Sequence, residues 1–420
     1  MRLLVLSVLR KTLHETTLGV DLMTQLEAAG VRCHFVIDAF NEDQLKAAGF
    51  PYTLVDPVMG AAVRTVVEDV AREFRPDAVV LADYVGHWMT LEVTYGCDPW
   101  FIDGLGLPLI PMDLYDLANT SRTVEILGKS TQVSDRLLDL PCHLQPVPMN
   151  RPQVTGDGPG KPYRATLAVE PPTAEHRRAV RRSLGLREGD RLLMVPTLPW
   201  QQLMARHAGG PAKVLASRLP GLVTHYLRQL PGQTHFVFTG PVFEDVGGLP
   251  PDRVHLFSHY TVAEYDDLLG ASDAVMSFHV PSFAIERAVF VDVPGVVCLN
   301  GFDVAGPEDL ARLDAEFGGL TPTVAAWLRT NPAPVPAFHM WPLSWNGLLG
   351  PMLADNPFTE VLHRAEIFDE RSVLDRLDRV LYDTRTALEL AEARARYRGL
   401  IDDLPPTPEV FDSVARRLGL

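Results

Sequence analysis

The chain has 420 residues, of which 46% are hydrophobic and 22% charged, and a formal net charge of −15. That is too long for one ordinary core, so two domains of about 150–200 residues each are expected, with the composition of a soluble globular protein. The acidic balance, without basic clusters or polybasic helices, argues against nucleic acid or an anionic membrane as partner, and no apolar run reaches the ~18 residues of a membrane span.

The first 150 residues alternate strand and helix. Leu3–Leu9 is a short continuous apolar run, as a parallel strand buried on both faces should be. With no small-residue cleavage site after it, the start reads as a first strand rather than a signal peptide. A helix from about Glu15 to Ala29 follows, stopped by Gly30, then a strand Val31–Ile37. A shorter helix, Thr53–Val55 and a helix from about Ala61 to Phe74 come next. Pro76–Asp77 ends that helix, strand Ala78–Ala82 begins, and Gly106–Pro108 introduces strand Leu109–Met112. Between Pro141 and Pro172 the chain turns rich in Pro and Gly and loses its period, so its centre, residues 151–172, is expected to be an interdomain linker.

A second alternating set runs from about 173 to 382. A helix from about Ala174 to Leu184 leads to strands Leu192–Pro196, His235–Thr239, Val254–Phe257, Ala274–Ser277 and Val296–Leu299. Ala305–Trp345 is less regular and reads as an insertion or a lid, with the aromatics of Phe338–Trp345 as local core or pocket lining. Glu370–Arg398 reads as one or two charged amphipathic helices and Pro408–Leu418 as a last one. The expected architecture is α/β: two Rossmann-like doubly wound parallel-sheet domains facing each other across a cleft. In such sheets ligands sit outside the carboxyl ends of the strands.

Two loops at such strand ends carry candidate chemistry. The loop after the first strand contains His14, placed either as a general base or as an ordinary surface histidine. Asp83 directly follows strand Ala78–Ala82; it is either the carboxylate that orients that imidazole or the N-cap of the next helix. In the second half, strand Asp273–Ser277 opens through SFHVPSFAIER onto a helix, which aims backbone N–H groups and a positive dipole end at a natural phosphate seat. Such loops usually carry glycines so that backbone and anion can approach. This one has His279, Pro281 and Ser282 instead. Cys33, Cys97, Cys142 and Cys298 are scattered without CxxC spacing, suggesting neither zinc nor disulfides and fitting a reducing cytoplasm. With no D-x-D pair, no P-loop and no GxGxxG after a strand, neither a metal-chelated diphosphate nor a bound cofactor is expected.

The segment Leu3–Ile37 resembles the opening of GT-B glycosyltransferases of the natural-product type: a His in the loop after strand one, here His14, followed sixteen residues later by the turn at Gly30. PDAVVLAD, ending at Asp83, is similar to the stretch that supplies the partner Asp in that family. RRSLGLREGDRLLMVP resembles the start of the donor domain, and Val254–Pro294 the donor signature. The resemblance implies His14 as the base that deprotonates the acceptor and Asp83 as its orienting partner. For the donor nucleotide it implies Thr197, Gly240, His259, Tyr260, His279, Pro281, Ser282, Glu286 (or Arg287) and Asp303; for the acceptor, Trp88, Asp113 and Tyr115. VPSFA stands where the family is glycine-rich, and Val304 where a Gln often follows the acidic residue. The C-terminal helices, residues 383–420, would cross back onto the N-terminal domain. The implied activity is inverting, metal-independent transfer of a sugar from a nucleotide-sugar co-substrate to a small-molecule acceptor. The altered loop keeps two alternatives open: a sugar-nucleotide epimerase or transferase with an atypical donor, and a non-catalytic auxiliary protein.

Overall fold

The structure is a computed structural model that describes residues 1–10, 12–117, 123–126, 129–153, 158–165, 170–280 and 282–420. The chain divides into two compact units: Met1–Arg122 with Val133–Leu167 and Leu400–Leu420, and Thr123–Gln132 with Ala168–Gly399.

In the first unit the elements are β1 (Arg2–Ser7), α1 (His14–Glu27), β2 (Arg32–Asp38), α2 (Glu42–Ala48), β3 (Tyr52–Val55), α3 (Val63–Phe74), β4 (Ala78–Leu81), α4 (Tyr84–Val93) and β5 (Leu109–Pro111). The strands form one parallel sheet in the order β3-β2-β1-β4-β5. β1 and β4 are buried almost throughout, which is why they read as unbroken apolar runs. The sheet winds outward in both directions from the β1–β4 pair, so the loops after these two strands leave the sheet at its switch point. After the hairpin β6 (Thr123–Ile126) and β7 (Lys129–Gln132), which belongs to the second unit, come α5 (Asp135–Leu138) and the parallel pair β8 (His143–Val147) and β9 (Gly160–Arg164). β9 lies inside the Pro/Gly-rich stretch.

The second unit continues with α6 (Ala174–Ser183), β10 (Arg191–Pro196), α7 (Pro199–His207), α8 (Gly210–Arg228), β11 (Thr234–Thr239), β12 (Val254–Phe257), α9 (Val262–Ala271), β13 (Ala274–Ser277), α10 (Phe283–Phe290) and β14 (Gly295–Leu299). Then follow α11 (Pro307–Glu316), α12 (Pro322–Arg329), α13 (Asn346–Leu353), β15 (Leu362–Glu366), α14 (Glu370–Tyr382) and α15 (Thr384–Asp402). Six parallel strands take the order β12-β11-β10-β13-β14-β15, with the switch point between β10 and β13. The stretch 305–345, read from sequence as an insertion or a lid, packs into this unit. Leu313, Val324, Leu328, Val335, Phe338 and Trp341 lie in the main hydrophobic core of this unit, because α11 and α12 each turn an apolar stripe inward.

The last helix, α16 (Thr407–Leu418), returns to the first unit and buries Val410, Phe411, Val414 and Ala415 there. Arg164, at the end of β9, donates to the carbonyls of Asp402 and Leu404, the latter at 2.7 Å.

Candidate active site

Both switch points carry the residues singled out in the sequence. In the first unit, His14 is the first residue of α1 and is half-buried. Asp83 follows β4 in an extended conformation and caps α4: its Oδ1 accepts the Gly86 N–H at 2.9 Å. Its other oxygen, Oδ2, accepts the Tyr115 hydroxyl at 3.1 Å. A side chain at position 86 would meet Leu9 at 2.5 Å and Asp83 Oδ2 at 2.7 Å, so a glycine there is what admits the cap. Asp83 is therefore the N-cap of α4, and its second oxygen is held by Tyr115.

Burial raises the Asp83 pKa to about 7, with the nearby Glu15 carboxylate pushing the same way. The Gly86 N–H, the Tyr115 hydroxyl and the charge of His14 act against that rise. His14, Asp83 and Tyr115 thus meet in one electrostatic neighbourhood at the carboxyl ends of β1 and β4. Asp113 turns back on its own loop, accepting the N–H of Tyr115 at 3.1 Å and of Leu117 at 3.0 Å, and burial raises it as well to about 7. Trp88 is partly buried on α4. The sequence reading missed Glu15 and Tyr84, both buried beside the named pair; their adjacency to His14 and Asp83 was the available signal.

In the second unit, the end of β10 is tied to β11. The Thr197 N–H bonds the Thr239 carbonyl at 2.8 Å, and its hydroxyl donates to the Pro241 carbonyl at 2.6 Å. The Thr197 hydroxyl proton, expected to face donor phosphates, is thus engaged within the protein. Gly240 has φ 95°, and a Cβ there would lie 2.1 Å from the Thr197 carbonyl oxygen. Its role in the structure is to let two strand ends approach. His259 is exposed. Tyr260 packs at a tilt on Tyr265 (centroids 5.4 Å), which in turn packs on Phe283 at the start of α10 (5.9 Å).

The loop after β13 is closed by a segment far along the chain. Val280 N–H donates to the His339 carbonyl at 2.9 Å, and Trp341 N–H to the Phe278 carbonyl at 3.0 Å, with His279 bridging Met340. The backbone N–H that a glycine-rich loop would offer at position 280 is therefore already bonded. His279 is 6% exposed, with its ring edge-on to Trp200 at 6.4 Å. Ser282 is the N-cap of α10 but places no side-chain bond on the first turn; its hydroxyl lies 3.1 Å from that of Ser277. Pro281 lies outside the described residues.

Glu286 is buried, and its charge acts on the hydroxyls of Tyr397 and Tyr265. Its neighbour Arg287 makes a two-pronged ion pair with Asp266, at 2.8 and 2.6 Å. Asp303 is exposed and accepts the Ala337 N–H at 2.9 Å on the rim of a cavity of about 300 Å³ that includes Pro336 and Ser344. His339, given no role from sequence, bonds Asn346 at 2.5 Å through Nδ1. Among the described residues no three His, Cys, Asp or Glu side chains are grouped to hold a metal ion, and no helix is long and apolar enough to cross a membrane.

Two doubly wound parallel sheets, in the orders described, make this the GT-B fold of glycosyltransferases. The likeness to solved structures runs the full length of the chain. The spinosyn forosaminyltransferase SpnP matches at 14% identity and a TM-score of 0.55, covering 100% of both chains. The glycosyltransferase VinC, in complex with dTDP, matches at 15% and 0.54, again over 100% of both. Alr3699/HepE of Anabaena, in complex with UDP-glucose, matches at 12% and 0.58, over 99% of this chain and 100% of that one. At such identities the likeness is one of fold. The chain belongs to DUF6365, a family of unknown function whose model matches residues 22–419. No curated protein sequence matches it.

Proposed function

We propose that this protein is a glycosyltransferase that moves a sugar from a nucleotide-sugar donor to a small-molecule acceptor, with inversion and without a metal or other cofactor. The observation that carries the reading is the neighbourhood at the first switch point. His14 opens α1, and its charge acts on a buried Asp83 that Gly86 and Tyr115 hold in place. An imidazole backed by a fixed carboxyl is a competent general base at neutral pH.

In the proposed step His14 takes the acceptor's proton as the acceptor heteroatom bonds the anomeric carbon from one face. The bond from that carbon to the diphosphate oxygen breaks on the other, and its electron pair leaves with the diphosphate. The N-terminus of α10 would stabilise that charge through its dipole and first-turn N–H groups. Because Val280 N–H is bonded to His339, the diphosphate would lie against the helix start at Ser282 rather than in the loop. UDP, bound in a further HepE structure, and dTDP, bound by VinC, are the first nucleotides to try.

Thermal shift against nucleoside diphosphates tests the donor side, with a rise in Tm expected for at least one. His14→Ala should then lower kcat by about 10²–10⁴-fold while leaving nucleotide affinity unchanged. The closed loop also favours a second reading, a non-catalytic protein on a glycosyltransferase fold. That reading holds if no nucleoside diphosphate binds.

A further inference from the structure

Four carboxyl groups gather at the carboxyl ends of β1, β4 and β5, and three of them are answered by the protein. Asp83 has Gly86 N–H and Tyr115 OH; Asp113 has two backbone N–H groups; Asp116 accepts from Gln145 Nε2 at 2.9 Å and lies 3.8 Å from Arg151. Glu15 differs. It is 8% exposed, its Oε2 is shielded from solvent, and among the described residues nothing donates to that oxygen. Its position in the first turn of α1 favours negative charge through the helix dipole, yet no N–H of that turn reaches the oxygen. Its charge is felt at Asp83 and at Tyr115, so the carboxyl faces the cluster.

A second buried group beside it is also unanswered. The Tyr84 hydroxyl is wholly buried, without a partner among the described residues, and lies in the field of Asp113, Asp83 and Asp116. Glu15 Oε2 and the Tyr84 hydroxyl, each without a partner among the described residues, sit where carboxyls outnumber the cations His14 and Arg151. An alcohol would supply a donor without offsetting the charge; an ammonium supplies both, with up to three N–H groups.

We propose that the acceptor carries a basic nitrogen and that Glu15 binds its ammonium. The inference rests on the reading of the first unit as the acceptor side of a transferase, and it adds the acceptor's chemical class.

Benzylammonium chloride and its neutral counterpart benzyl alcohol, titrated at pH 7 by ligand-observed NMR, test it on the whole chain. The cation is expected to bind at least tenfold tighter than the alcohol, and Glu15→Gln to abolish the difference. Equal binding of the two probes by the wild type, which needs no variant to fold, overturns the inference. So does a cation preference that survives in Glu15→Gln. The outcomes separate from those of the transferase reading: nucleotide binding without cation preference removes only this inference. Cation preference without nucleotide binding removes transfer and leaves the cation site standing.

Discussion

Asp83 is a carboxyl held in a place that disfavours its charge. Buried and 32 residues from the Tyr115 that bonds it, it has a folded pKa raised to about 7, against about 3.9 in an unfolded chain. Between those values the folded state binds more protons than the unfolded one, so this group lowers stability as pH rises from about 4 to about 7 and then levels off. Asparagine is neutral at every pH, can still accept from Gly86 N–H, and can donate to the Tyr115 oxygen. Asp83→Asn is therefore expected to be more stable than the wild type at pH 8 by on the order of 4 kcal/mol, with the gap closing towards pH 4. Asp113 is shifted in the same direction but is present in both proteins, so the difference isolates Asp83. Denaturant titrations across pH 4–8 provide the check; a gap that does not change with pH would show that Asp83 is ionised in the folded state throughout.

The elements that could be read from sequence are those whose signal is local. β4 and β13 are covered on both faces and appear as short, mostly apolar runs, and β11 is buried throughout around the apolar centre Phe236–Phe238. β15, with the pattern LHRAE, escaped because it is an edge strand with polar residues facing out. The candidate site was legible as far as strand ends reveal it: His14 and Asp83 are each one loop away from a strand. Its cross-chain bonds were not. No period announces that Tyr115 will reach Asp83, or that single residues at 339–341 will bond the loop at 278–280. The aromatics around Phe338–Trp345 prove to be core. Trp341 is 2% exposed, packs on Phe243 and Phe278 at 5.7 and 6.1 Å, and donates from Nε1 to the Leu215 carbonyl at 3.3 Å. Replacing it with alanine should cost about 3–5 kcal/mol in the second unit. Replacing it with phenylalanine should cost less, since the ring contacts survive and one hydrogen bond worth about 1 kcal/mol is lost. Similar losses from the two substitutions would show that the hydrogen bond, not the ring, holds this segment over the loop.

At the scale of the whole molecule, the first unit is completed by the last twenty-one residues, Leu400–Leu420. They contribute Phe411 and Val414, 1% and 0% exposed, and they meet Arg164 through the carbonyls of Asp402 and Leu404. Gln25 on α1 bonds the Arg164 carbonyl at 2.9 Å, so α16, β9 and α1 form one packed corner. Removing residues 400–420 would expose the apolar face that Phe411, Val414 and Val410 cover, and burial of each such side chain is worth about 1.5–3 kcal/mol. The second unit keeps its six strands and its own core. The truncation should therefore loosen one unit and spare the other. The four buried cysteines report on this directly, because Cys33, Cys97 and Cys142 lie in the first unit and Cys298 in the second. Thiol labelling under native conditions, read by mass spectrometry of the peptides, should speed up at the first three by the factor that the lost stability sets. About 3 kcal/mol corresponds to somewhat more than a hundredfold when opening is fast and reversible. Labelling of Cys298 should keep its wild-type rate. Parallel acceleration at all four would mean that the two units unfold as one cooperative body, and that the C-terminal helix stabilises the whole chain rather than the unit it packs in.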